Sequence, residues 1–509
     1  MKKMLILACI ALPVFAIAQK KNKTAEKIAK SISATDLKER LYTVASKENE
    51  GRDTPSPGLE RAADYIENQF KSFGLLPGNG DSYRLRYPVY KDSMISASLM
   101  VNEEALNINK DFQPLSGVNH TAAMSFSELV FAGYGITDDK TDNYANLDVQ
   151  GKLVMILDGS PESYPSTGQQ RYRSPASSYG KLITARNKGV AALIIVSGNL
   201  SGNSGNGRSQ WSLNGYSPSV FPLTFTLSAS VAKGILGEDA KDLVSKTDGS
   251  PAATKPYKAN ISLSYYNTIV KGSASNVLGV VEGSDKKDEW VIITAHYDHL
   301  GVRNDNTYYG ADDDGSGTVS VLEIAQAFAG AKAAGKGPRR SILFMTVSGE
   351  EHGLWGSGYY ANHPVYPLEK TSADLNIDMV GRIGNEYQKN KDSANYIYII
   401  GDDKLSSDLN PITEQVNKTY TKLTLDRKYN DPKDPNRFYY RSDHYNFAEK
   451  GVPIIFYFNG VHQDYHRPTD TPDKINYPLM EKRARLVFFT AWDIANRDEM
   501  LKRDKPLNQ

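Results

Sequence analysis

Trp290-Val291-Ile292-Ile293-Thr294-Ala295-His296-Tyr297-Asp298 is an apolar run of strand length that breaks off into polar residues. Downstream, Gly310-Ala311-Asp312-Asp313-Asp314-Gly315-Ser316-Gly317 leads into a stretch with Val319, Val321, Leu322, Ile324, Ala325 and Phe328, which predicts a helix from Gly317 to Gly330. Further strand-like runs follow at Ser341 to Val347, Ala373 to Met379 and Val452 to Tyr457. Apolar strands alternating with helices from Asn276 onward predict an α/β domain.

Upstream the texture differs. Ala25 to Lys91 reads as helical. It is interrupted by the breaker-rich turn Glu50 to Gly58 and stopped by Gly74-Leu75-Leu76-Pro77-Gly78. Within it, Ala62, Ala63, Ile66 and Phe70 fall at helical spacing between Leu59 and Phe73. From Asn119 to Asn267 short β-like pieces appear at Glu128 to Gly133, Lys152 to Leu157, Ala191 to Val196 and Phe221 to Leu227, with a helix from Lys181 to Gly189. Loops rich in Gly, Ser and Asn separate them, above all Ser201 to Ser219. This segment carries no acid–histidine cluster and reads as an inserted domain serving as lid or wall. The expected organisation is a leader over 1–18, the first part of the main domain over 19–118, the insert over 119–267, and the rest of the main domain over 268–509.

A chain of 509 residues has room for two or three domains of about 100–200 residues. With 40% hydrophobic and 23% charged residues it belongs to the globular class. Lys plus Arg is 60 and Asp plus Glu is 59, a balance that gives no long-range field for nucleic acid or an anionic membrane. Lys20, Lys21 and Lys23 read as a solvated tail. Lys2 and Lys3, the apolar run Met4 to Phe15 and the small residues Ala16-Ile17-Ala18 read as a signal peptide, so the protein is expected to be exported. No later apolar run reaches the roughly 18 residues of a membrane span. The single cysteine, Cys9, lies in the leader and too near its start for a lipoprotein signal. The mature chain then has no disulfide and no thiolate, and any metal site must be built from His, Asp and Glu.

Chemistry-bearing residues gather where the apolar runs end. Trp290 to Ala295 ends in His296-Tyr297-Asp298; Ser341 to Val347 ends in Ser348-Gly349-Glu350-Glu351; Leu375 to Ile377 leads into Asp378; Val452 to Phe458 leads to His462, Asp464 and His466. Ligands of open α/β sheets collect beyond the carboxyl ends of the strands. Each motif has a plain alternative. The triplet Asp312 to Asp314 and Ser316 serve equally as caps for the helix near Gly317. His296 and Asp298 fit a satisfied buried histidine as well as a ligand and its orienting partner. Glu350 and Glu351 fit a solvated loop as well as a base beside a metal ligand. Their joint occurrence favours a metal centre, and oxygen and imidazole donors suit Zn²⁺.

The chain resembles the co-catalytic di-zinc aminopeptidase family, whose relatives include glutamate carboxypeptidase, transferrin receptor and glutaminyl cyclase. The resemblance rests on His296-Tyr297-Asp298, Gly310 to Gly317, Glu350-Glu351, Asn376-Ile377-Asp378-Met379 and Asp464-Tyr465-His466, spread in order from Asn276 to Asp473. Leu147 to Leu157 and Lys181 to Val196 resemble the protease-associated domain often inserted in these enzymes. The resemblance implies a mixed central sheet flanked by helices, a β-rich insert, two Zn²⁺ per chain and peptide substrates. It implies that His296 and Asp378 bind one zinc, Glu351 and His466 the other, and that Asp313 bridges them. Asp298 would orient His296, and Glu350 would act as general acid and base. Tyr465 matches the place of an oxyanion donor in some relatives, with simple packing as the alternative. Arg441-Ser442-Asp443-His444-Tyr445 matches a further family segment, in which His444 reads as lying behind the ligands, in the substrate wall, or in surface packing. His120, His299, His352, His363 and His462 read as loop or packing residues.

An aminopeptidase is the first functional reading. The alternatives are a carboxypeptidase or dipeptidase of the same family, a glutaminyl cyclase, and a non-catalytic binder that keeps the fold. The complete ligand set speaks against the binder, and the presence of both His296 and Asp378 against the one-zinc cyclase.

Overall fold

The computed structural model describes residues 21–507, apart from 116, 165–173, 199, 201–210, 216–219, 238–239, 241–253 and 390–393. The leader over 1–18 and most of the Ser201 to Ser219 loop lie outside the described residues. Contacts divide the chain into two units: Met1–Tyr87 with Ser273–Gln509, and Pro88–Gly272.

The first unit is built on a mixed sheet. Its strands are β1 (the end of Pro256–Val281), β2 (Lys286–His296), β3 (Arg340–Val347), β4 (Thr371–Ile377), β5 (Tyr396–Ile400), β6 (Thr424–Asp426) and β7 (Ile454–Phe458). Their spatial order is β6-β5-β7-β4-β2-β3-β1. The central strands β3, β2, β4 and β7 run parallel, while β1 and β5 pair antiparallel to β3 and β7. Every residue of β3, β4 and β7 is buried. That is why β7 and most of β3 read as continuous apolar runs; β4 instead buries Asp374 and Asn376, both bonded by Thr294 Oγ1.

Helix α1 (Gly317–Ala333) is apolar around most of its circumference and almost wholly buried, as a helix pressed between a sheet and other helices must be. Its Phe328 packs on Phe488 and Trp492 of α2 (Tyr477–Asn496), with ring centroids 4.9 and 5.6 Å apart. N-terminal helices over Lys23–Ala29, Ala34–Val44 and Pro57–Phe73 complete this unit. The last begins with Ser56 capping the Leu59 amide, has proline in its first turn, and ends on Gly74 in the left-handed conformation, φ 78°.

One part of the helical reading of Ala25 to Lys91 is corrected. Residues from Arg84 belong to the strand Arg84–Val101. Its burial follows a two-residue period at Tyr87 and Val89, the signature of a strand with one face covered.

The second unit has its own sheet. Ala122–Phe131 pairs antiparallel with the first part of Pro256–Val281 and parallel with Leu153–Leu157; Ala192–Ser197 and Leu223–Ser228 continue the parallel set. Helix Ser178–Asn187 is capped by Ser177. The unit starts at Pro88, earlier than the change of texture at Asn119, because the intervening chain hydrogen-bonds within it: Asn102 N donates to Asn260 O, and Phe112 pairs with Leu227. Among the described residues, no helix is long and apolar enough to cross a membrane.

Candidate metal centre

The parallel strands β2, β3, β4 and β7 all point their carboxyl ends the same way, and the residues that follow them meet there. His296 closes β2 and Asp378 directly follows β4. Glu350 and Glu351 follow the turn after β3, and His466 lies in the loop beyond β7. The bend Ala311–Ser316, ahead of α1, brings in the aspartate triplet.

The three aspartates divide their work. Asp314 Oδ1 accepts the amides of Gly317, at 2.8 Å, and Met379, at 3.0 Å, so it caps α1 and ties it to the end of β4. Asp312 Oδ1 accepts the Gly381 amide at 2.7 Å, and its Oδ2 lies 3.1 Å from His462 Nε2. Asp313 alone turns its carboxylate into the centre. Its Oδ1 lies 3.3 Å from His296 Nε2, which is also 3.7 Å from Asp378 Oδ1. Its Oδ2 lies 3.1 Å from His466 Nε2, which is 3.2 Å from Glu351 Oε2. One carboxylate thus faces two donor groups, His296 with Asp378 and His466 with Glu351. Asp314 thus takes the capping role, while Asp313 alone is free to act as a ligand.

His296 Nδ1 lies 3.1 Å from the Asp298 backbone carbonyl and 3.7 Å from its carboxylate. Donation from Nδ1 to that carbonyl leaves Nε2 as the free lone pair toward Asp313. The Asp298 carboxylate accepts the Glu350 amide at 3.2 Å, and so fixes the turn that carries both glutamates. Behind Asp378, Ser442 Oγ donates to its Oδ2 at 2.6 Å, and Asn376 Nδ2 donates to Ser442 Oγ at 2.8 Å. His444 bonds instead to the Tyr439 carbonyl at 2.8 Å and stacks on Phe456, and burial lowers its pKa to about 3. It is a packing residue.

His299 is not a mere loop residue. It is fully buried, with Nδ1 2.8 Å from Glu351 Oε1 and 3.9 Å from Asp313 Oδ2. A lone histidine one position beyond His296-Tyr297-Asp298 gave no periodic signal to set it apart. Nor does the sequence mark Arg52. It is fully buried and donates to the carbonyls of Tyr297 (2.7 Å), Val44 (3.2 Å), Tyr309 (2.7 Å) and Gly310 (3.0 Å), pinning the loop that delivers the triplet. Burial brings its pKa down to about 10, against the pull of Asp298 and Asp313.

Electrostatically the centre calls for positive charge. Burial works against a charged His466, yet Asp313 and Glu351 raise it to about 10. Burial likewise works against a charged Glu351, but His299 and His466 hold it at about 2. Glu350, half-buried, is driven well above the usual carboxylate range by desolvation, with His296 opposing. Buried His296 Nε2 and Asp313 Oδ2 make no well-directed hydrogen bond. Buried polar atoms that converge without partners are costly unless a cation takes them up. The triads His296–Asp313–Asp378 and His299–Asp313–Glu351 each place one donor atom per residue within 4.8 Å of the others. Oxygen and imidazole donors in such triads fit Zn²⁺.

A cleft of about 340 Å³, partly open to solvent, borders the centre. Asp313, Glu350 and Asp378 line it together with the apolar Met379, Phe438, Phe456, Phe458 and Val461. Arg441 and Tyr465 also line it. The Tyr465 ring stacks on His466 at 3.9 Å, and burial pushes its phenol well above the ordinary range, so it is a hydroxyl donor.

The fold and this donor set define a class: a mixed α/β domain with a carboxylate–imidazole centre at the carboxyl ends of its parallel strands. Residues 276–491 match the profile of peptidase family M28. A probable leucine aminopeptidase of Arthroderma otae is 31% identical over 231 residues, 44% of this chain and 59% of that protein. The chain thus spans less than two thirds of that relative's length. Aminopeptidase YwaD of Bacillus subtilis is 25% identical over 383 residues, covering 74% of this chain and 68% of that protein. Among solved structures, an aminopeptidase from Aneurinibacillus sp. strain AM-1 shares the fold with a TM-score of 0.52 at 20% identity, over 95% of this chain and 98% of that one.

Proposed function

We propose that this protein is an exported, zinc-dependent exopeptidase that removes N-terminal residues from peptides. The observation that carries the reading is the Asp313 carboxylate, with one oxygen 3.3 Å from His296 and the other 3.1 Å from His466. Two metal ions sharing a bridging carboxylate need that arrangement. His296 and Asp378 would hold one zinc, Glu351 and His466 the other, and Asp313 both. The names of the fungal and Bacillus relatives support aminopeptidase action. The export part rests on the leader reading of residues 1–18, and the insert over 119–267 is proposed as a protease-associated domain.

Zinc, when bound, polarises a carbonyl and lowers the pKa of water. Glu350 lines the cleft beside Asp313 and Asp378. It takes the proton from the attacking water and returns it to the leaving amine, the task for which a carboxyl of raised pKa is suited. The Tyr465 hydroxyl donates to the oxygen that gains charge during attack. Asp298 and Ser442 hold the donors in place.

Zinc-loaded protein should hydrolyse an aminoacyl amide and spare an N-blocked dipeptide; the reverse preference would replace this reading with a carboxypeptidase. Glu350→Gln should retain about two zinc ions per chain and lose roughly 10²–10⁴-fold in kcat. Near-normal turnover by that variant would remove Glu350 from the mechanism.

A further inference from the structure

Arginines near the centre are committed to acids or, like Arg52, to main-chain carbonyls, with one exception. Arg382 donates to Asp464 at 2.8 Å and Arg427 to Asp402 at 2.8 Å. Arg441 is exposed and lines the same cleft as Asp313, Glu350 and Asp378. No carboxylate among the described residues pairs with it. Its guanidinium carbon stands 4.9 Å from the centre of the Phe438 ring, and one nitrogen donates to the Tyr465 hydroxyl at 3.4 Å. The ring and the phenol hold the planar group in place while most of its donors stay free. Arginine remains charged at any working pH, and its fork matches a carboxylate.

We propose that Arg441 binds a carboxylate of the substrate, so that the preferred substrates are peptides carrying a free carboxylate close to the scissile bond. The inference rests on the exopeptidase reading of the same site. An acidic centre and a lone cation lining the same cleft suit a ligand that carries both an amine and an acid. That acid is either the C-terminal carboxylate of a very short peptide or an acidic side chain. The apolar lining residues supply the contact for a substrate side chain. The contact is solvent-accessible, so its strength falls with added salt.

The test compares kcat/KM of the zinc-loaded full chain on Leu-Ala, Leu-Ala-amide, Leu-Glu-amide and Leu-Gln-amide. A carboxylate should be favoured over its neutral counterpart by about tenfold, as a charge-assisted contact gives. The preference should appear mainly in KM, shrink in about 0.5 M salt, collapse toward unity in Arg441→Gln and survive in part in Arg441→Lys. Preference for Leu-Ala over its amide identifies the chain terminus as the source; preference for Leu-Glu-amide over Leu-Gln-amide identifies the side chain. Cleavage of all four without discrimination, or discrimination that persists in Arg441→Gln, overturns the inference while the exopeptidase reading stands. Cleavage of none overturns both.

Discussion

Asp313 stands between two donor groups while its neighbours Asp312 and Asp314 are committed to backbone amides. Asp313→Ala should therefore affect metal binding more than folding. Zinc content measured after gel filtration should fall from about two per chain to one or less, with the secondary structure kept. Two zincs retained by that variant would refute the bridging role. At this scale the sequence was informative about the ligand candidates, because each follows a strand and the sheet topology gathers strand ends. It was uninformative about which aspartate of the triplet faces inward. That depends on the bend at Ala311–Ser316, not on residue type. Arg52 was illegible for a related reason. An arginine in a breaker-rich turn looks solvated, and only the fold shows four carbonyls closing around it.

At the scale of elements, helix α1 and strand β4 are joined through Gly317. A Cβ there would clash with the Ile377 carbonyl and with the Asp314 carboxylate, whose Oδ1 is held by the amides of Gly317 and Met379. Alanine is ordinarily the better helix former by about 1 kcal/mol. Here Gly317→Ala should instead destabilise by roughly 1–3 kcal/mol and weaken zinc binding, because the helix start and Asp378 can no longer approach. Urea unfolding with a zinc titration checks this, and an unchanged midpoint would show that the junction yields freely. Strands β3 and β7 are legible as apolar runs because parallel strands covered on both faces need no polar alternation; β4 is less so, since it buries Asp374 and Asn376. Arg84–Val101 was read as helical up to Lys91 since its one-sided burial, at Tyr87 and Val89, is short and interrupted by proline. The long Pro256–Val281 strand escaped notice because its inward residues Tyr257, Ala259, Ile261, Leu263 and Tyr265 alternate with polar ones that resemble a loop.

On the scale of the molecule, the near-neutral net charge conceals a centre whose acids outweigh its imidazoles. Folding gathers those groups together, and their mutual repulsion is a cost unless a cation offsets it. A ligand that binds only the folded form stabilises it by about 2.7 kcal/mol when its concentration is a hundred times Kd. Zinc should therefore raise Tm by about 5 °C for each occupied site, given the usual dependence of Tm on free energy in large domains. EDTA should reverse the shift, and Asp313→Ala should show less of it. Because the donors all belong to the first unit, the gain should appear in the transition that reports on β2, β3, β4 and α1. A melting curve indifferent to both zinc and chelator would mean that these carboxylates and imidazoles satisfy one another without a cation, and the metal centre would have to be abandoned.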